Sequence, residues 1–176
     1  MVEIILGIVV CISSILLAVT VINSRFQLAI VKIDKAEEDI DMYLGKKKEL
    51  LSSSREIVSK ELKLEHFLPE LDENFDNINH FEENDILKNA YTELFKTVDD
   101  NEKLLKSESL SSILTGLSEN DENMLGAIKF YNDNVIEFNK LVVSFPSRAV
   151  AFFKRYKRKE FFNDEKREMF EILNEG

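Results

Sequence analysis

The sequence predicts an all-α protein in which an N-terminal transmembrane helix continues into a long antiparallel helical bundle. Residues 4–22 contain no charged side chain, and apolar side chains recur at helical spacing along most of the remaining chain. Residues that interrupt helices are scarce, with five glycines and two prolines among 176 residues. We therefore divide the chain into a transmembrane anchor, residues 1–23, and a cytoplasmic helical-bundle domain, residues 24–176.

Residues 4–22 form the predicted membrane span. As an α-helix this stretch measures about 28 Å, which is close to the thickness of the hydrocarbon core of a bilayer. A cleaved signal peptide would need a basic N-terminal region and small residues at its cleavage site, but the chain begins Met-Val-Glu and the stretch is followed by Asn23. A lipoprotein signal at Cys11 is disfavoured because Val10 is too large. We therefore expect a single-pass anchor in the lipid bilayer.

The basic residues near the span predict its orientation. No Lys or Arg precedes the span, whereas Arg25, Lys32 and Lys35 follow it closely. Because such residues are retained on the cytoplasmic side, we expect a cell-membrane protein with a cytoplasmic C-terminal domain. Residues 24–176 contain 23 basic and 32 acidic side chains, a formal net charge of −9, and such a surface repels nucleic acid.

The first part of the domain is predicted to be one long helix that continues the span to about Leu64. Apolar residues recur there at alternating steps of three and four, and the seam is interrupted at Glu37, Lys47 and Ser54. The seam residues are Phe26, Ile30, Ile33, Ile40, Leu44, Leu51, Val58 and Leu62.

In the middle of the chain, residues 64–87, the helical pattern lapses. This stretch contains eight acidic residues and neither Lys nor Arg, and we predict a loop with a short helix after Pro69. A second helix is predicted from a cap at Asn84 or Asp85 to about Lys106. Its apolar seam is predicted to consist of Leu87, Tyr91, Leu94, Val98 and Leu105.

A third helix is predicted from a cap at Ser118 to a stop at Pro146. The Ser-rich stretch before it, residues 107–118, is predicted to be a turn with a marginal helical piece from Leu110 to Leu114. The apolar residues of the third helix keep a strict seven-residue repeat, which is typical of a coiled-coil seam. A last helix is predicted over residues 163–173. The repeat consists of Met124, Ile128, Tyr131, Val135, Phe138, Val142 and Phe145, all expected in the core.

No pattern indicates a catalytic, cofactor-binding or metal site. His66 and His80 are not in a Glu-x-x-His arrangement, and we expect both to be exposed in the acidic loop. The chain has no glycine-rich phosphate loop, nucleophile elbow or zinc-binding cysteine pair. The acidic residues suit a solvated loop, a basic protein partner or a hard cation, although their spacing matches no calcium loop. They are Glu70, Asp72, Glu73, Asp76, Glu82, Glu83 and Asp85.

The most unusual surface feature is a basic aromatic segment, residues 152–162. Its candidate contact residues are Phe152, Phe153, Lys154, Arg155, Tyr156, Lys157, Arg158, Lys159, Phe161 and Phe162. The segment suits an anionic membrane surface, an acidic protein partner, or an intramolecular role in which the aromatics cap the bundle. If the second helix returns to the membrane and the third leaves it again, Pro146 lies at the far end of the bundle, where contact with the same membrane is difficult.

Two polar residues of the third helix are expected to have a structural role. Asn132 and Asn139 are seven residues apart, so they share one face beside the apolar seam. Buried amides at such positions need hydrogen-bond partners and would fix the helix register.

Two stretches resemble the LemA family. Its YN...YN...FP signature and later K-x-FF motif are similar to Tyr131, Asn132, Asp133, Val135, Phe138, Asn139, Phe145, Pro146, Lys159, Glu160, Phe161 and Phe162. Its membrane-proximal Asn, I-D-V-x-L motif and basic cluster are similar to Asn23, Leu28, Ile40, Asp41, Leu44, Lys46, Lys47 and Lys48. The chain lacks the family's Trp before the I-D pair. The resemblance implies a LemA-like, membrane-anchored bundle that faces the cytoplasm, and it implies no enzymatic activity.

These observations lead to two hypotheses about function. The first is a membrane-anchored scaffold or adaptor that acts through protein or membrane-surface contacts, self-association to a homo-oligomer included. The second is a signal-transducing sensor whose helical bundle binds a small ligand. A buried polar pocket would favour the sensor, and the largely apolar seams favour the scaffold. We expect no catalysis, cofactor or metal in either case.

Overall fold

The computed structural model describes residues 1–72, 75 and 78–162, and its regular elements are all helical. The predicted all-α fold is confirmed. The helix predicted over residues 163–173 lies outside the described residues. Within them, the helices are α1 (Val2–Leu62), α2 (His80–Asp99), α3 (Glu102–Leu105), α4 (Glu108–Val143) and α5 (Ser147–Lys154), and a 3-10 helix covers Pro69–Asp72.

Helix α1 is continuous from the apolar stretch to residue 62, as predicted. Its most apolar 18-residue window has a mean hydropathy of 2.9 and is not buried, so α1 is long and apolar enough to span a membrane. The hydroxyl groups of Ser13, Ser14 and Thr20 each donate to the carbonyl four residues earlier, which satisfies them within the helix. The helix ends where Lys63 adopts a left-handed backbone with φ 55°.

The chain forms two compact units, and α1 and α4 contribute to both. Unit 1 comprises Met1–Ala36 and Phe130–Gly176, and unit 2 comprises Glu37–Lys129. Most predicted seam residues are buried within their own unit, so helical spacing identified most of the core correctly. In unit 1 they are Phe26, Ile33, Tyr131, Val135 and Phe138, and in unit 2 they are Ile40, Leu44, Leu51, Val58, Leu87, Leu94, Val98, Met124 and Ile128.

In unit 2, α4 runs antiparallel to α1. The Asn120 side chain donates to the Tyr43 carbonyl over 3.0 Å, whereas Gly116 lies next to Leu50. Rising residue numbers on α1 therefore meet falling numbers on α4. Both helices contribute apolar seams to the core of this unit.

Helix α2 runs parallel to α1 in unit 2, which contradicts the prediction that the second helix returns. His80 at its start lies 2.9 Å from Asp41, and Tyr91, about three helical turns further along α2, lies beside Lys47. Between α1 and α2 the described residues run back along α1, since Asp72 pairs with Arg55 and the Lys48 ammonium lies 3.8 Å from the Phe75 ring centroid. The sequence pattern locates helices but does not give the direction of the chain between them.

Two predicted helix starts are wrong, and local capping explains the first. Helix α2 begins at His80, earlier than the predicted cap at Asn84 or Asp85, because the Asn79 side chain accepts hydrogen bonds from the amides of Phe81 and Glu82, each over 3.0 Å. Glu82 and Glu83 then lie in the first turn, where the helix dipole favours negative charge.

Helix α4 begins at Glu108, ten residues before the predicted cap at Ser118. The Ser-rich stretch, residues 107–118, is therefore mostly helical rather than a turn. Leu110 and Leu117 are fully buried and extend the apolar seam of α4 toward its N-terminus. Packing of these two leucines outweighs the weak helix propensity of the serines between them.

Candidate functional site

A clamp of polar side chains on α4 holds the chain after α5 in unit 1. The Asn139 amide group accepts a hydrogen bond from the Lys159 N–H over 2.8 Å and donates one to the Lys159 carbonyl over 2.9 Å. Asn132 accepts from the Phe162 N–H over 2.8 Å, and the Tyr131 hydroxyl donates to the Glu160 carbonyl over 3.0 Å. The expected structural role of both asparagines is thus explained by backbone partners.

An aromatic layer lies beside the clamp. The Phe26 ring is 5.6 Å from Phe138 and 4.9 Å from Tyr156, centroid to centroid, and Phe138 is 5.9 Å from Tyr156. Such spacing is typical of favourable aromatic pairs. The layer joins α1, α4 and the segment after α5 within unit 1.

Residues 156–162 show the relative direction of α1 and α4 in unit 1. Along α1, Gln27 donates to the Tyr156 hydroxyl over 2.9 Å, and Asp34 lies 3.7 Å from the Lys159 ammonium. Along α4 the order is reversed, because Lys159 binds Asn139 whereas the later Phe162 binds the earlier Asn132. The two helices are therefore antiparallel, and α4 ends toward the apolar stretch of α1. Pro146, just after α4, therefore does not lie at the end of the bundle far from residues 4–22, which was expected if the second helix returned.

The end of α4 and helix α5 form an exposed tip, defined as residues 145–155. Phe145 is 90 % exposed, so its predicted place in the core is wrong: the helix ends at Val143, and the seven-residue repeat has no meaning beyond it. Phe152 and Phe153 are 79 % and 83 % exposed, whereas Val150 and Ala151 are buried. Arg155 ends α5 with a left-handed backbone, φ 58°.

An open groove of about 310 Å³ lies on unit 1 between α1 and α4. Two cations, an acid and three apolar side chains line it, so it suits a ligand with an anionic and an apolar part. The sequence pattern does not predict this groove, since its lining residues on α1 and α4 are more than 100 positions apart in the chain. They are Arg25, Leu28, Ala29, Glu137, Lys140 and Leu141.

The sequence model of the LemA family matches residues 36–172 of the chain. The chain belongs to the LemA family. The matched region includes the clamp residues Asn132 and Asn139 and excludes the apolar stretch at the start of α1. No curated protein and no solved structure gives a significant match. The resemblance noted in the sequence is thus confirmed at the level of the family.

The basic aromatic segment of this LemA protein has an exposed and a docked part. The docked residues are half-buried along α4 and are Tyr156, Lys159, Phe161 and Phe162. The exposed residues are Phe152, Phe153, Lys154, Arg155, Lys157 and Arg158. Only the exposed part presents aromatic rings and cations to the surroundings, so the candidate contact surface is smaller than the sequence pattern predicts.

Unit 2 contains a polar cluster at an interruption of the first seam, in which Lys47 and Asn120 are buried and Asp121 is partly exposed. The Lys47 ammonium lies 2.9 Å from the Asp121 carboxylate, and Lys47 is only 2 % exposed. Asn120 is buried beside them, and its Oδ1 accepts no hydrogen bond from the described residues. Burial raises the pKa of Tyr91, and the negative charge of Asp121 raises it further.

The two histidines are exposed, as predicted, but His80 begins α2 rather than lying in the loop. Burial raises the pKa of nearby Glu83, and the charge of Asp41 adds to this shift, while His80 and Lys48 oppose it. Among the described residues no group of three or more His, Cys, Asp or Glu side chains has an arrangement that would hold a metal ion.

The acidic residues of the middle stretch do not form one surface in the described part of the chain. Asp72 pairs with Arg55 over 2.7 Å, while Glu82 and Glu83 belong to the first turn of α2. Glu73 and Asp76 lie outside the described residues.

Proposed function

We propose that this LemA-family protein is a membrane-anchored helical scaffold or adaptor that acts through protein or membrane-surface contacts and not through catalysis. The observation that carries this proposal is the apolar stretch, residues 4–22, which belongs to the same helix as the buried Phe26 and Ile33 of unit 1. An apolar surface of this size is unfavourable in water and favourable in a bilayer. A rigid helical connection would hold the domain at the membrane.

The proposed orientation places residues 24–176 in the cytoplasm. Arg25, Lys32 and Lys35 follow the span, and no basic residue precedes it. Basic residues near the ends of a span favour the cytoplasmic side. The proposal is thus a single-pass protein of the cell membrane.

Membrane fractionation with a reporter fused after Gly176 tests anchoring and orientation together. We expect the protein to stay in the membrane after high-salt and carbonate washes, and a reporter that works only in the cytoplasm to be active. The control is the double substitution Ile12→Arg and Leu16→Arg, because each Arg at the centre of a span costs about 3 kcal/mol of insertion free energy. Recovery of the unmodified protein in the soluble fraction would contradict anchoring, and an inactive reporter would contradict the orientation.

The second candidate function is a sensor whose bundle binds a small ligand. The observation that favours it is the polar cluster in unit 2, where buried Lys47 and Asn120 lie with partly exposed Asp121, since buried polar side chains can orient a polar ligand. The scaffold is preferred because the remaining core of unit 2 is largely apolar.

Photo-crosslinking in native membranes separates these two functions. A photoreactive phenylalanine analogue is placed at Phe95 on α2 or at Leu125 on α4, which are both exposed apolar positions of unit 2. A scaffold should give a discrete protein adduct from one of these faces and not from the other, and an adduct of twice the chain mass would identify a homo-oligomer. If neither position gives an adduct, and small-molecule extracts raise the melting temperature, the sensor is supported instead.

A further inference from the structure

In unit 1, the tip lies beside the point on α1 at which the apolar stretch, residues 4–22, ends. Phe26 of α1 packs against Phe138 of α4, and the two helices are antiparallel. Helix α4 continues for five residues beyond Phe138 to Val143, which is about 7.5 Å along its axis. The same distance back along α1 from Phe26 reaches Val21, at the end of residues 4–22. If these residues span a bilayer, the tip is at its surface.

The tip exposes three phenylalanine rings although its inner side is packed. Phe145, Phe152 and Phe153 are all more than three-quarters exposed, and the last two rings contact each other at 5.8 Å between centroids. Val150 and Ala151 on the inner side of α5 are buried. Helix α5 is therefore amphipathic with an aromatic outer side, which is unfavourable in water.

The charge around the tip is opposite in sign to that of the whole protein. The chain has a formal net charge of −10, but residues 138–159 contain seven basic side chains and no acidic one. Lys140 is one of these seven, and Arg25 adds a further cation from α1, across the groove that both residues line. Positive charge is thus concentrated where unit 1 would meet the lipid headgroups.

We propose that the tip is a second membrane contact, in which Phe145, Phe152 and Phe153 enter the headgroup region of the leaflet that α1 leaves. The flanking cations, which include Lys154 and Arg155, bind the phosphates of anionic phospholipids. Phenylalanine on the apolar side of an amphipathic helix is buried at the boundary between headgroups and acyl chains, and anionic lipids attract basic clusters. This inference rests on the proposed anchoring of α1 and names anionic lipid as the partner of the tip.

A second contact changes what the anchor does. A single span leaves a domain free to tilt and rotate about its helix, whereas interfacial anchors on a second element restrict both motions. The clamp and the aromatic layer connect the tip to α1 and α4, so unit 1 would be held in one orientation on the bilayer. A scaffold needs such a fixed orientation to present the same surface to its partners.

Lipid quenching of a fluorophore on the full-length protein tests the proposal. The protein is reconstituted in phosphatidylcholine liposomes with or without phosphatidylglycerol, with Cys11→Ser removing the native thiol. An environment-sensitive dye is attached at Ala149→Cys in α5 or, as a reference, at Thr92→Cys in α2, since both positions are exposed. We expect headgroup spin-labelled lipids to quench the dye in α5 and not the dye in α2, and quenching to be stronger with phosphatidylglycerol.

The matched variants use exposed phenylalanines, so that folding is preserved. Phe152→Ser with Phe153→Ser should lower quenching of the α5 dye to the level of the α2 dye, while Phe95→Ser on α2 should leave it unchanged. Circular dichroism confirms that each variant keeps its helix content. Equal quenching at both dye positions in the unmodified protein, or quenching that survives the double substitution, would overturn the proposal.

Two other outcomes are distinguishable from these. A dye in α5 that is shielded only in native membranes, and not in pure lipid, identifies a protein partner and overturns the lipid contact. Failure of the anchor itself appears as protein that no longer floats with carbonate-washed liposomes. Failure of the tip alone appears as floating protein whose α5 dye is not quenched.

Discussion

Replacing Phe138 by Asp is expected to lower the free energy of unfolding by roughly 5 kcal/mol, enough to unfold a protein of ordinary stability. Phe138 is 3 % exposed and packs against Phe26 and Tyr156. Truncation of a buried phenylalanine alone costs about 3–5 kcal/mol, and the new carboxylate would be buried without a cation in the aromatic layer. Thermal melting of the full-length protein in detergent, followed by circular dichroism, measures the effect.

Phe95→Asp on α2 is the matched control, because the same change at a side chain that is 57 % exposed should alter the free energy of unfolding by less than about 1 kcal/mol. Comparable melting curves for Phe138→Asp and the unmodified protein would show that the aromatic layer does not stabilise unit 1. A large effect of Phe95→Asp would indicate that α2 has a partner in solution, such as a second copy of the chain.

The sequence was sufficient to predict the core positions and insufficient to predict the chain direction. Helical spacing placed Phe26, Ile40 and Phe138 correctly, because burial on one helix face requires apolar residues three or four positions apart. The same rule failed at Phe145, where α4 has already ended. It also gives no information on the direction of α2, which the contacts of His80 with Asp41 and of Tyr91 with Lys47 show to be parallel to α1.

The candidate surface was predictable in composition but not in arrangement. The concentration of cations and aromatics in residues 152–162 is visible in the sequence. The division of this segment into an exposed and a docked part, however, depends on the clamp. Asn132 and Asn139 were correctly expected to need partners, but those partners are backbone groups 20 to 30 residues later in the chain. No local pattern encodes a hydrogen bond between a side chain and a distant backbone group. The position of the tip beside the end of residues 4–22 depends on contacts between α1 and α4, which are far apart in the sequence.

Lys47 shows a further limit of pattern analysis. Lys47 interrupts the apolar seam of the first predicted helix. In the structure the helix continues through this position, and Lys47 is buried inside unit 2. Its partner Asp121 lies 74 positions later in the sequence, on α4, and is partly exposed. This charged residue at a seam position is accommodated by an ion pair with a residue distant in the sequence, and the sequence alone does not identify that partner.

Asp121→Ala is expected to lower the free energy of unfolding by about 3 kcal/mol, whereas Lys47→Met should change it by less than about 1 kcal/mol. Removal of Asp121 leaves the Lys47 ammonium buried without its counter-charge. The ammonium keeps its cation–π contact with Tyr91, whose ring centroid is 5.7 Å away. Methionine keeps most of the apolar length of lysine and removes the buried charge. Chemical denaturation of the full-length protein in detergent measures both differences.

The double variant with Lys47→Met and Asp121→Ala decides how the effect arises. If the cost of Asp121→Ala comes from the unpaired ammonium, the double variant should be more stable than Asp121→Ala by about 2 kcal/mol or more, because the charge that needed Asp121 is gone. Additive losses would mean instead that Asp121 stabilises α4 independently of Lys47. An Asp121→Ala variant within about 0.5 kcal/mol of the unmodified protein would show that water reaches the Lys47 ammonium, and that this site in unit 2 is more open than the structure indicates.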